Sequence, residues 1–79
     1  MWYLYLIECS NGALYAGIST DVDARYAKHA SGKGAKYTRA NPPRRLIGSK
    51  VFDDKSSALK AEYAIRQLPR EQKVAFLAA

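Results

Sequence analysis

The stretch LYAGISTDVDARYAKH, residues 14–29, sets down a phenol at Tyr15, a guanidinium at Arg25 and an imidazole at His29. A second phenol, Tyr5, precedes it, and a carboxylate, Glu62, follows far downstream. A guanidinium offers a fork of donors that suits a phosphate. An imidazole titrates near neutrality and moves protons. A carboxylate holds divalent cations through oxygen. Each of these residues also has an ordinary structural reading. Tyr5 and Tyr15 fit amphipathic strands, rings in a core and hydroxyls at its edge. Arg25 fits an ion pair with Asp21, four residues earlier, and His29 suits the last turn of a helix, where its positive form complements the dipole.

The elements around these residues can be read from pattern. Residues 2–9, WYLYLIEC, are aromatic and branched and read as a strand. Period two puts Tyr3, Tyr5, Ile7 and Cys9 on one face and Trp2, Leu4, Leu6 and Glu8 on the other. Asn11-Gly12 predicts a tight two-residue hairpin turn into a partner strand over 13–18. Gly17 weakens that strand, so it marks a bulge or a close approach of the backbone. Ser19-Thr20 predicts a helix cap, with Asp23 in the first turn and Gly32 as the stop. Val22, Tyr26 and Ala30 then make an apolar stripe, with Arg25 and His29 on a neighbouring face. Residues 32–45 read as a loop with one helical turn around Ala35–Arg39, residues 45–52 as a third strand, and 56–67 and 69–77 as two helices. The order β-β-α-loop-β-α-α predicts one α+β domain over 1–79, a small, mostly antiparallel sheet with helices packed on it.

Composition narrows the function classes. The chain of 79 residues has 48% hydrophobic residues and a formal charge of +6. No apolar run approaches the roughly 20 residues of a membrane span, and the N-terminus alternates like a strand and lacks a basic flank. The single Cys9 allows no internal disulfide and no structural zinc site, so the cytoplasm is the expected location. The charge is concentrated. Residues 25–50 hold Arg25, Lys28, Lys33, Lys36, Arg39, Arg44, Arg45 and Lys50 with no acid among them. Such a block reads as a polyanion surface, with a merely solubilising face as the plainer reading. Membrane lipid fits less well, because the segment has no apolar face.

Glu62 falls in the helical stripe Ala58, Ala61, Ile65, Leu68, which should face the core. A carboxylate there needs a partner, either a basic neighbour or a divalent cation.

Together, Tyr3-Leu4-Tyr5, Tyr15-Ala16-Gly17, Arg25, His29 and Glu62 resemble the GIY-YIG nuclease family, most closely its small stand-alone bacterial members. The likeness covers nearly the whole chain. The first tripeptide departs from the motif at Tyr3 and Leu4, the second only at Ala16, and the segment GKGAKYTR is similar to a loop of the stand-alone members. Many relatives carry an asparagine some dozen residues after the glutamate; here that position lies near Val74, beside Lys73.

This resemblance implies three antiparallel strands with flanking helices. It also implies a metal-dependent endonuclease that hydrolyses phosphodiester bonds in DNA with one Mg2+ or Mn2+ ion. Glu62 would be the metal ligand and Arg25 the phosphate clamp. Tyr5, Tyr15 or His29 would be the general base or orient the water, with nearby cations lowering a phenol's pKa, and Gly17 would be structural in the site. Lys33, Lys36, Arg39, Arg44 and Arg45 would follow the phosphate backbone. Tyr37 would stack on an unpaired base or pack under its own loop. No helix offers a row of base-edge donors, so the expected selectivity is for structure, single-stranded or branched, in DNA repair, recombination or uptake. RNA stays open as a substrate, and a homodimer or protein partner would extend so small a surface. A non-catalytic nucleic-acid-binding module, or a nuclease subunit that needs a partner, is the competing expectation.

Overall fold

In a computed structural model describing residues 1–78, the strand richest in apolar residues takes the centre of the sheet. β1, Trp2–Cys9, lies between β2, Leu14–Ser19, and β3, Pro43–Phe52, and pairs antiparallel with both. Residues 4–9 are all buried because helices cover both faces of the sheet. On one face Leu4, Leu6 and Ala16 meet Ala61 and Ile65 of α3, Lys55–Arg66, with Phe76 and Leu77 of α4, Arg70–Ala78, closing the edge. On the other face Tyr5, Ile7 and Cys9 meet Val22 and Tyr26 of α1, Val22–Ala30. The short α2, Lys36–Ala40, follows α1 and leads into β3. Leu4, Leu6 and Ile65 have no exposed surface, and each contributes about 1.5–3 kcal/mol relative to exposure. The sheet and its flanking helices are the α+β arrangement read from the sequence.

Three local expectations are corrected. The hairpin loop has three residues, not two. Cys9 N–H donates to the Ala13 carbonyl at 2.9 Å, and only Gly12 has a positive φ, of 86°. Asn11 instead turns its side-chain oxygen onto the Ala13 N–H at 3.1 Å. The extra residue sets the register: Tyr15 faces Ile7 and Tyr5 faces Gly17. A two-residue loop would have slipped the ladder by one and turned Tyr15 to the opposite face from Tyr5. The second correction is the cap of α1. Asp21 holds that position, its carboxylate accepting from the Ala24 N–H at 3.1 Å, while Ser19 hydrogen-bonds the Asp21 backbone. Third, Ala30 is exposed, so the apolar stripe of α1 ends at Tyr26.

Glu8, near the end of β1, is 7% exposed and sits among cations. Arg45 reaches it at 2.9 Å and Arg70 at 2.7 Å, with Arg44 at 4.0 Å. Hydrogen bonds from Arg45 and Arg70 hold its carboxyl below the usual carboxylate range. The cluster ties β1 to the start of β3 and the start of α4.

Candidate functional site

The register of the hairpin builds the site. Tyr5 and Gly17 are direct partners across β1 and β2 and so share a face. A Cβ at Gly17 would overlap the hydroxyl end of Tyr5. The glycine is therefore a close approach, and no bulge interrupts the β1–β2 ladder. Tyr5 is only 2% exposed and has no room to swing aside. Gly17→Ala is expected to displace the phenol and to cost about 1–3 kcal/mol, read as a lower midpoint in chemical denaturation.

α1 returns His29 over this hairpin. The Tyr5 hydroxyl and His29 Nε2 are 2.9 Å apart, and His29 Nδ1 and the Thr38 hydroxyl are 2.7 Å apart. Thr38 in turn donates to the Ala35 carbonyl at 3.0 Å. Tyr15 meets the His29 ring edge-on at a centroid distance of 5.4 Å. Tyr37 stacks on Tyr15 at 6.1 Å, with its hydroxyl held by the Asn11 amide at 2.9 Å. His29 and Thr38 are buried, whereas Tyr15 and Arg25 are half-buried and reach toward solvent.

Burial, and then the Arg25 charge, push His29 below the usual histidine range, so the ring is neutral at neutral pH. Burial pushes the Tyr5 phenol up. The Arg25 guanidinium pulls the other way, and the Glu62 charge adds to the rise. Arg25 of α1 and Glu62 of α3 thus both act electrostatically on Tyr5, although they come from different elements. At Tyr5 desolvation outweighs Arg25, so Arg25 alone does not bring that phenol's pKa down. Nor does Arg25 pair with Asp21, whose carboxylate is the helix cap; among the described residues Arg25 has no ion pair.

Glu62 stands at the rim of the core face, with its side chain 18% exposed. Its Oε2 accepts from Arg66 at 2.8 Å, one turn on, and Arg66 also donates to the Ala16 carbonyl of β2 at 3.2 Å. Arg66 went unnoticed in the sequence, although a Glu followed four residues later by Arg on a helix is a recognisable pair. With Leu14, Tyr15, Ala16, Tyr37 and Lys73 it lines a cavity of about 430 Å³. Lys73 donates to the Leu68 carbonyl at 2.8 Å. Thr38 also went unnoticed; nothing in its local sequence marks it beyond its place in the loop segment.

The basic segment divides in two. Lys33, Lys36 and Arg39 are exposed on and before α2. Arg44 and Arg45 hold Glu8, though their side chains stay 58% and 65% exposed. Tyr37 is 40% exposed and neighbours both the basic loop and Tyr15.

The sequence matches the GIY-YIG catalytic domain over residues 1–74. The chain belongs to the GIY-YIG family. A UPF0213 protein of Cupriavidus pinatubonensis is 54% identical over 77 residues, covering 98% of this chain and 86% of that one. Another, from Cupriavidus necator, is 57% identical over 77 residues, with 98% and 84% covered. The solution NMR structure of a UPF0213 protein from Bacillus halodurans has a TM-score of 0.58 at 46% identity, over 99% of this chain and 84% of that one. GIY-YIG membership supports an endonuclease-type activity. The two tyrosines and the glycine of the GIY-YIG motifs, Tyr5, Tyr15 and Gly17, are those that meet at the hairpin. No helix among the described residues is long and apolar enough to cross a membrane.

Proposed function

We propose that this GIY-YIG domain, one functional unit over 1–79, is a metal-dependent endonuclease that hydrolyses phosphodiester bonds in DNA. The observation that carries this reading is a buried Tyr5 hydroxyl hydrogen-bonded to His29, with Tyr15 edge-on to the same ring and the charges of Arg25 and Glu62 acting on the phenol.

No cluster of three or more His, Cys, Asp or Glu side chains occurs among the described residues. One carboxylate suits Mg2+ or Mn2+ nonetheless, because such ions keep several waters and bind through one or two carboxylates plus substrate phosphate. Glu62 fits that role, with Arg66 engaging only Oε2 in the hydrogen bond. A bound ion would neutralise charge on the phosphate and on the leaving oxygen.

The protein's own groups divide the remaining work. Arg25 binds the non-bridging phosphate oxygens and offsets the charge that grows on them. The attacking water gives its proton to the Tyr5 oxygen as the Tyr5 proton passes to His29. The resulting hydroxide bonds to phosphorus, the bond from phosphorus to the leaving deoxyribose oxygen breaks, and that oxygen takes a proton from solvent. Tyr15 orients the water from the solvent side and braces His29.

Lys33, Lys36 and Arg39 follow the phosphate backbone, with Arg44 and Arg45 adding charge while they hold Glu8. Tyr37 offers an aromatic face to an unpaired base. With no row of base-edge donors, the substrate is recognised by structure, as single-stranded or branched DNA, in repair, recombination or uptake. The Glu62–Arg66 pair favours a second reading, a nucleic-acid-binding module in which the carboxylate serves structure alone.

Binding and cleavage of end-labelled single-stranded, duplex and branched DNA across a salt series test the proposal. Neutralising Lys33, Lys36 and Arg39 together is expected to weaken binding and to flatten the salt slope by about 2–3 units. An unchanged slope would remove the basic loop from the interface. Tight binding without a cut on any substrate, with Mg2+ or Mn2+ present, would favour the binding module.

A further inference from the structure

Thr38 has no part in the chemistry above, yet it is fully buried and its hydroxyl touches the ring of the only histidine in the chain. A hydroxyl carries one proton. Thr38 directs its proton to the Ala35 carbonyl at 3.0 Å, so toward His29 Nδ1, 2.7 Å away, its oxygen is an acceptor. Nδ1 must then carry the ring hydrogen. A neutral imidazole has only one, which leaves Nε2 bare. The bare nitrogen lies 2.9 Å from the Tyr5 hydroxyl and accepts its proton. Donors therefore run in one direction, from Tyr5 to His29 to Thr38 to Ala35.

The opposite direction fails at Tyr5. There the phenol oxygen would receive an Nε2–H, and its own proton would have no hydrogen-bond acceptor among the described residues. A buried hydroxyl left that way is costly. The loop before α2 closes on the ring from the Nδ1 side. A Cβ at Gly34 would overlap His29 Nδ1, so the backbone passes hard against that side of the ring. The same loop carries Thr38 on the first helical turn after it.

We propose that Thr38 is a positioning residue of this site: its hydroxyl holds His29 as the Nδ1–H tautomer and so aims an unprotonated Nε2 at the Tyr5 hydroxyl. The loop segment GKGAKYTR then has a task separate from charge. Its second glycine, Gly34, admits the ring and its threonine selects the tautomer. The effect on cleavage rests on the nuclease reading, whereas the tautomer itself does not.

The test uses the full chain labelled with 15N in the imidazole. With one histidine, the two ring-nitrogen signals and their couplings to the ring hydrogens identify the protonated nitrogen without ambiguity. In the neutral ring, wild type is expected to show Nδ1–H. Thr38→Val keeps the shape but deprives Nδ1–H of its acceptor, and is expected to move the population to Nε2–H or to a mixture. Thr38→Ser restores the hydroxyl and is expected to restore Nδ1–H. On cleaved DNA, Thr38→Val should lower turnover by on the order of 10²-fold with unchanged DNA affinity, and Thr38→Ser should recover most of it. Nε2–H in wild type overturns the proposal outright, whatever the variants do. So does Nδ1–H that persists in Thr38→Val. Nδ1–H in wild type that depends on the hydroxyl, in a protein that cuts no DNA, would support the tautomer assignment and count against the nuclease reading alone.

Discussion

Glu62→Ala is expected to lower metal-dependent cleavage by at least about 10³-fold while DNA affinity stays close to wild type. The loss follows from removing the one carboxylate whose charge is felt at the Tyr5 hydroxyl, the group that would hold the metal ion. The preserved affinity follows from Arg66. It is paired to Glu62 at 2.8 Å in the intact protein and lines the cavity beside Tyr15 and Lys73. Without the carboxylate its charge is released toward that cavity, so attraction for phosphate is kept or slightly raised. Folding should be little affected. A partly exposed pair one helical turn apart contributes only about 0.3–0.5 kcal/mol. Measuring single-turnover cleavage and equilibrium binding on the same oligonucleotide separates the two effects. Parallel loss of both would make Glu62 a binding or folding residue.

Arg25→Ala has the second largest expected effect, a fall in turnover of about 10²–10³-fold against a change in affinity of a few-fold. Arg25 is half-buried and without an ion pair among the described residues, and its charge acts on the Tyr5 phenol. A guanidinium in that position acts most strongly when charge builds on the phosphate, which happens in the transition state and not on binding. Arg25→Lys should rescue only part of the rate, because an ammonium lacks the planar fork. Removing Arg25 also withdraws one of the two influences that keep His29 below its usual range, burial being the other and larger. The acidic limb of the pH–rate profile should therefore move toward higher pH in the alanine variant. A fall in affinity as large as the fall in turnover would make Arg25 a backbone clamp.

Much of this site can be read in the residues before any coordinates. The alternation in WYLYLIEC is strong enough to put Tyr5 on a named face, and the types and order of Tyr15, Gly17, Arg25, His29 and Glu62 point to phosphate chemistry. What pattern does not carry is register and partner. Asn11-Gly12 reads as a two-residue turn, and one further residue in the loop decides that Tyr5 faces Gly17. Ser19-Thr20 reads as a cap, yet Asp21 wins the position because its carboxylate reaches the Ala24 N–H. The block of cations reads as one surface, but Arg44 and Arg45 turn back to a buried glutamate on a strand far away in sequence. Thr38 illustrates the limit most clearly. A threonine in a polar loop carries no local sign that its hydroxyl will meet a buried imidazole nine residues earlier.

The most direct test of the central claim is one gel of end-labelled single-stranded, duplex and branched DNA. Wild type would be incubated with Mg2+ or Mn2+, wild type with the same ion and a chelator, and Glu62→Ala with the ion. Cuts that need the metal and disappear in Glu62→Ala, with DNA binding intact in all three, are the expected result. Cuts that persist in the chelator or in the Glu62→Ala lane would contradict a metal site built on Glu62, and with it the account of how this domain works.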